Sequence, residues 1–319
     1  MTSKAAGRAP ARGADHGRVL AAVLAALVAT AAAGCRTVGP ASHALGDRLD
    51  CLRERNLGLV AAHRGQPDPS APENAMSSFR ASLAAGVPFL EIDVATTRDG
   101  VLVLIHDDTL DRTTTGSGAV GERTWEEIRA LELKRPDGTV LGEGVPRLAD
   151  VLHWGKSAGA HFELDVKKAT RWSDVFDAVR AAGMEKQVVV ITYTLADAKA
   201  VHDLAPQLMI SVALEQPEDL AEARRRLLPP ERMLGWTGTT EPRRNTLSTL
   251  RAAGVEPIVG TLGRPGERLD DIYVADGNPS EYAELVHSGV VMIASDRAAT
   301  AQQTIGFGYR ACFAGAGGR

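Results

Sequence analysis

His63, Arg64, Glu73, Glu91, Asp93 and His106 fall within a single stretch, HRGQPDPSAPENAMSSFRASLAAGVPFLEIDVATTRDGVLVLIHDD, and nearly all stand at the ends of apolar runs. Residues 57–62 form a run that stops at His63, residues 89–94 enclose Glu91 and Asp93, and residues 101–105 stop at His106. In a strand, side chains alternate between faces, so Glu91 and Asp93 project together while Leu90, Ile92 and Val94 pack on the other side. Two carboxylates side by side repel unless a cation lies between them, and a hard ion such as Ca²⁺ or Mg²⁺ is the simplest remedy. Imidazole titrates near working pH, so two histidines beside such a site can take and give a proton in turn. A solitary histidine at a strand end is more often structural, and a solitary acid pair more often a solvated face. Here the two occur together among apolar neighbours.

These side chains need a scaffold. From residue 57 onward the chain alternates strand and helix. Strands are predicted over residues 57–62, 89–96, 161–166, 188–192, 208–213, 233–236, 256–260 and 290–294. Helical stretches are predicted over residues 75–85, 124–131, 148–156, 174–182, 195–204, 218–228, 244–253 and 279–288, with 101–105 as a hairpin arm. Strand–helix alternation in eight units argues an α/β chain closed into a (β/α)₈ TIM barrel, with any site at the C-terminal ends of the strands. An open doubly wound sheet is the alternative, but its glycine-rich dinucleotide fingerprint is missing. In the third strand, Glu163, Asp165 and Lys167 share a face. Tyr193 and Trp236, at or just beyond strand ends, stand where they can line a pocket or serve as plain packing.

The chain has 319 residues, is 44% hydrophobic and carries a net charge of −4. One large barrel domain accommodates that length. No basic stripe interleaved with aromatics appears, so nucleic-acid binding has no electrostatic support. The Arg224-Arg225-Arg226 run and the other histidines, His16, His43, His153, His161, His202 and His287, read as a solvated helix face and as structural positions.

Residues 1–34 read as a signal peptide. Lys4, Arg8, Arg12 and Arg18 precede an uncharged run over residues 19–33, which is shorter than a membrane span. Ala32-Ala33-Gly34-Cys35 resembles the lipobox of bacterial lipoproteins, which predicts lipidation at Cys35 and an exported, membrane-anchored protein. The alternative is cleavage after Ala33, leaving a soluble secreted enzyme. Four basic residues and one acidic residue leave with the leader, taking the net charge from −4 to −7. Residues 35–56 read as a tether, to about Asp47, and a lead-in; residues 57–319 are the barrel domain. Cys51 and Cys312 flank it, and the two ends of a closed barrel are neighbours. A Cys51–Cys312 disulfide is therefore expected, with two free thiols as the alternative.

Taken together, the blocks HRG, PEN, ExD, the His106-Asp107 pair with its RTTTGSG run, and the late Gly289-Val290-Val291-Met292-Ile293-Ala294-Ser295-Asp296 block resemble the glycerophosphodiester phosphodiesterase family. The resemblance spans about residues 57–299. It implies a TIM barrel, a divalent cation, and hydrolysis of glycerophosphodiesters to glycerol 3-phosphate and an alcohol. It also implies metal carboxylates at Glu91 and Asp93, an acid/base pair at His63 and His106, and a phosphate-binding Arg64. At the third strand two alignments compete. One makes Asp165 the third ligand and Lys167 a phosphate contact, and is favoured; the other puts Glu163 there. The stretch from residue 119 to about 146 is short, so no large cap is expected.

A phosphodiester's charge repels a nucleophile, so the metal, Arg64 and Lys167 would neutralise its oxygens. One histidine would deprotonate water or the glycerol 2-hydroxyl while the other protonates the leaving oxygen. His63 as base and His106 as acid is one assignment, and the reverse stays open. Glu73 and Asn74 are expected to orient His63 and its loop by hydrogen bonds, with Glu73 within reach of the metal. Hydrolysis of lysophospholipids or phosphosphingolipids, and a non-catalytic phosphodiester-binding lipoprotein, are the competing functions. No obligate protein partner is expected.

Overall fold

Alternation along the strands decides how this molecule is built. The computed structural model describes residues 44–313. The leader, Cys35 and residues 36–43 of the tether lie outside the described residues. The chain opens with α1 (Ala44–Arg55), β1 (Leu59–Ala62), α2 (Met76–Ala84), β2 (Phe89–Thr96) and β3 (Leu102–Leu104). An insert follows, with α3 (Trp125–Ile128), β4 (Glu132–Lys134) and β5 (Val140–Gly144). Then come α4 (Leu148–Ala158), β6 (His161–Val166), α5 (Trp172–Ala182), β7 (Val188–Thr192), α6 (Leu195–Leu204) and β8 (Met209–Ala213). The last part holds α7 (Pro217–Arg225), β9 (Met233–Trp236), α8 (Arg244–Ala252), β10 (Glu256–Gly260), α9 (Leu269–Tyr273), α10 (Glu281–Ser288), β11 (Met292–Ser295), α11 (Ala298–Ile305) and α12 (Arg310–Phe313).

The sheet runs β1-β11-β10-β9-β8-β7-β6-β2-β3, and a β1–β2 pairing closes it. Eight strands are parallel, and β3 runs antiparallel on β2. This is the (β/α)₈ barrel that the alternation predicts. Outward residues such as Val60, Leu90, Ile92, Phe162, Leu164, Val190 and Ile210 are buried beneath the helices. Each such side chain contributes about 1.5–3 kcal/mol of apolar burial. Inward residues at the N-terminal ends of the strands, among them Leu59, Phe89, Val189, Met209, Leu234 and Met292, form a second core.

That second core is completed by Leu45, Leu49 and Leu52 of α1, all fully buried. The segment read as tether to about Asp47 is thus helical from Ala44, because Leu45, Leu49 and Leu52 recur at helical spacing and plug the barrel bottom. A Cys51–Cys312 disulfide, 2.02 Å between sulfurs, ties α1 to α12 beneath the barrel. The insert has its own small core, including Val103, Ile105, Leu110, Val120, Ile128, Leu133 and Val145. Among the described residues, no helix is long and apolar enough to cross a membrane.

Candidate active site

Register explains how the acidic residues meet. β2 and β6 pair in parallel with Glu91 beside Glu163 and Asp93 beside Asp165, so all four carboxyls face the barrel axis in two layers. Oxygens of Glu91, Asp93 and Asp165 lie within 4.8 Å of one another, and all three residues are buried. Glu163 is not in that group. The backbone N–H of Arg64 donates to the Glu91 carboxylate (2.6 Å), which draws Glu91 away from its strand neighbour. Lys167 reaches back from the end of β6, with Nζ 2.5 Å from Asp93 and 2.7 Å from Asp165.

Both histidines enter from the strand ends, each braced by a carboxylate. His63 begins a short 3-10 turn, His63–Gly65, directly after β1. Its Nδ1 lies 2.6 Å from Asp296 Oδ1, just beyond β11, while Nε2 lies 4.0 Å from Glu91. Asp296 also accepts from the Gly263 N–H and from Arg268. His106 follows β3, and the Ile105 N–H donates to the Asp93 carbonyl (3.2 Å), which hangs the arm over the acidic cluster. Its Nδ1 lies 2.8 Å from Asp107. Neither Asp296 nor Asp107 has a role that follows from the sequence alone; the signal for Asp107 is its adjacency to His106.

The turn after β1 is strained where it matters. Arg64 (φ 51°) and Asn74 (φ 53°) both adopt the left-handed region. Gly65 (φ +70°) abuts Phe79, and a Cβ there would lie 2.2 Å from the ring, so only glycine fits. Asn74 makes no hydrogen bond to His63, but its N–H donates to the Arg64 carbonyl (2.8 Å) in the loop that follows His63. Its side chain clamps Asp93 instead, donating to the carboxylate (2.7 Å) and accepting from the Asp93 N–H (3.1 Å). Glu73 likewise touches neither His63 nor the acidic cluster: it holds Arg64 (2.8 Å) and Arg112 (2.6 Å). Arg112, from the insert, also grips Asp107 (2.7 Å). The Arg64 Nε is buried and has no hydrogen-bond partner. Tyr193 donates to Asp165 (2.9 Å) although the residue is largely exposed, and Trp236 lines the far wall. A cavity of about 310 Å³ opens here, lined by His63, His106, the four acids, Tyr193, Trp236, Ser211 and Leu262.

Electrostatics separates the carboxyls. Burial, then the charges of Asp93 and Asp165, push Glu91 well above the usual range. Burial also acts on Asp93, but Lys167, His106 and Arg64 outweigh it and hold it low. Burial alone pushes Glu163 up to about 7. For Asp296 the burial penalty is overcome by hydrogen bonds from His63, Gly263 and Arg268, which hold it at about 2. Arg112 keeps Asp107 low. Three converging carboxylates, one pushed toward its neutral form by burial and by the charge of the others, are an all-oxygen donor set that fits a hard divalent cation. The Arg64 Nε, 4.0 Å from Asp93 and without a hydrogen-bond partner, is a donor that fits an anion.

The profile of the glycerophosphoryl diester phosphodiesterase family matches residues 63–299. The chain belongs to this family. A glycerophosphodiester phosphodiesterase of Caldanaerobacter subterraneus subsp. tengcongensis is 31% identical over 160 residues, 48% of this chain and 65% of that protein. Human glycerophosphodiester phosphodiesterase 1 is 41% identical over 83 residues, 26% of this chain and 25% of its own. The matched stretches thus span from a quarter to just under two thirds of those relatives. A crystal structure of a glycerophosphoryl diester phosphodiesterase from Parabacteroides distasonis superposes with a TM-score of 0.70 at 28% identity, covering 78% of this chain and 86% of that one. Across the family match lie every histidine, acid and arginine described above.

Proposed function

We propose that this protein hydrolyses glycerophosphodiesters to glycerol 3-phosphate and an alcohol, with Ca²⁺ or Mg²⁺ held by Glu91, Asp93 and Asp165. The observation that carries this reading is the convergence of two carboxylate-braced imidazoles on the cavity that gathers the three acids. When bound, the cation would withdraw charge from the non-bridging phosphate oxygens. Arg64 and Lys167 would hold those oxygens from two sides. Because Nδ1 of each histidine faces a carboxylate, Nε2 is the nitrogen left to exchange a proton with substrate. His63 would take the proton of the attacking water as the new P–O bond forms; attack by the glycerol 2-hydroxyl instead would give a cyclic phosphate, which water would then open to glycerol 3-phosphate. His106 would give a proton to the leaving alkoxide as the old P–O bond breaks. Asp296 and Asp107 would stabilise the imidazolium at each stage.

A cavity of about 310 Å³ lies at the small end of ligand pockets and favours a compact polar diester over a lysophospholipid. The test is hydrolysis of glycerophosphocholine by the purified protein, with and without chelator, beside lysophosphatidylcholine. Release of glycerol 3-phosphate that stops with chelator and returns with Ca²⁺ or Mg²⁺ supports the reading; no release under any condition refutes it. Export with a lipid on Cys35, a barrel over residues 57–319 and the absence of an obligate partner belong to the same proposal. The apolar run and the Cys35 block support the export and the lipid.

A further inference from the structure

Two inward-facing side chains have no part in the chemistry just described. Glu163 is 3% exposed and lines the cavity, yet among the described residues its carboxyl has neither a hydrogen bond nor an ion pair. Ser211 is equally buried and lines the same cavity. Its carbonyl accepts from Thr192 (2.7 Å), but its hydroxyl has no partner. Buried polar groups are normally paired, so two that face one cavity unpaired call for a partner that arrives from outside.

The cation is not that partner for Glu163, whose carboxyl lies outside the group formed by Glu91, Asp93 and Asp165. A phosphate oxygen is not either, because it would repel a carboxylate. Glu163 precedes Asp165 on β6 and stands level with Glu91, one layer deeper than Asp93 and Asp165. Whatever reaches it is a substituent of the phosphate that points into the barrel. A hydroxyl suits both side chains, since it donates and accepts and can pair with a carboxyl in either protonation state. Ile191, Ala213 and Trp236 line the same cavity and can take a short carbon skeleton. Gly260 makes room for the indole, since a Cβ there would come within 2.5 Å of Trp236.

We propose that Glu163 and Ser211 form a hydrogen-bonding floor that receives the hydroxyls of the substrate's glycerol, selecting a 2,3-dihydroxypropyl ester on one side of the phosphorus. This rests on the phosphodiesterase reading above. The head group then leaves by the mouth, and selectivity falls on the glycerol side.

The experiment compares kcat/KM for glycerophosphocholine with that for bis(p-nitrophenyl) phosphate, a diester without hydroxyls, and measures bound metal. Glu163→Leu is expected to lose about 10-fold or more beyond its loss on the nitrophenyl ester. Ser211→Ala is expected to lose about 3- to 10-fold beyond it. Glu163→Gln, which keeps hydrogen-bonding atoms, recovers most of the selectivity, and metal content stays at the wild-type value. Equal losses on both substrates, no loss on either, or metal lost from Glu163→Gln overturns the floor. If Glu163→Leu fails to fold, Ser211→Ala decides by the same ratio. A wild-type protein inert to glycerophosphocholine refutes the functional reading, a result separate from all of these.

Discussion

Each imidazole at the mouth faces a carboxylate across Nδ1, at 2.6 Å for His63 and 2.8 Å for His106. Such a contact fixes ring orientation and tautomer together. We expect His63→Ala and His106→Ala each to cost about 10²- to 10⁴-fold in kcat on glycerophosphocholine. Asp296→Asn should also slow turnover, by leaving the His63 ring in the wrong tautomer. The same substitution has a signature in stability. Asp296 sits at about 2 against an ordinary 3.8, so its contribution is present above about 3.8 and lost as pH falls through about 2. Urea unfolding should show Asp296→Asn about 2 kcal/mol less stable at pH 6, with the gap closing toward pH 2. An unchanged gap across that range would contradict the pairing.

At the scale of elements, the bottom of the barrel is as organised as the mouth. Replacing Cys51 and Cys312 together by serine should lower stability by about 2–4 kcal/mol in denaturant unfolding, while turnover stays near wild type because the bond lies at the opposite pole. Glu256, on β10, is paired with Arg53 of α1 (2.8 Å). Burial nonetheless pushes it up to about 8 from 4.5, and the Arg53 contact offsets only part of that. Because the folded state favours the neutral acid, the contribution of Glu256 is fully present below about 4.5 and lost as pH rises through about 8. Glu256→Gln should therefore gain on wild type progressively from pH 5 to 9 in melting temperature. The barrel strands were legible in the sequence because each is a short apolar run, and the β3 arm because residues 101–105 end at His106. The β4–β5 hairpin was not: residues 140–144 are exposed or half-exposed throughout and carry no hydrophobic alternation. Helix α1 carried its signal in Leu45, Leu49 and Leu52, but the Gly and Pro just before it read as tether.

Across the whole molecule, the two poles divide the work, with packing and the disulfide below and charge above. Glu91, Asp93 and the two histidines could be read from residue type and spacing, since each lies on or beside a recognisable strand; the parts given to Arg64, Asp165 and Lys167 came through the family resemblance. The partners of the site residues could not be read, since Asp296 meets His63 from across the barrel seam and Arg112 meets Glu73 from an insert with no regular pattern. The proposed anchor is tested at this scale as well. Cys35→Ala should shift the protein from the membrane fraction to the soluble fraction after cell breakage, and mass spectrometry should find the lipid only on the unaltered chain. Retention in the membrane by the variant would remove that part of the proposal. Arg112 holds one further meaning. It rivets Asp107 to Glu73, and Glu73 in turn holds Arg64. Cut that rivet and Asp107 loses the grip that steadies it against His106, while the arm stays pinned to β2 and His63 keeps its berth beside Asp296. A matched pair of proton handlers would become an unequal one.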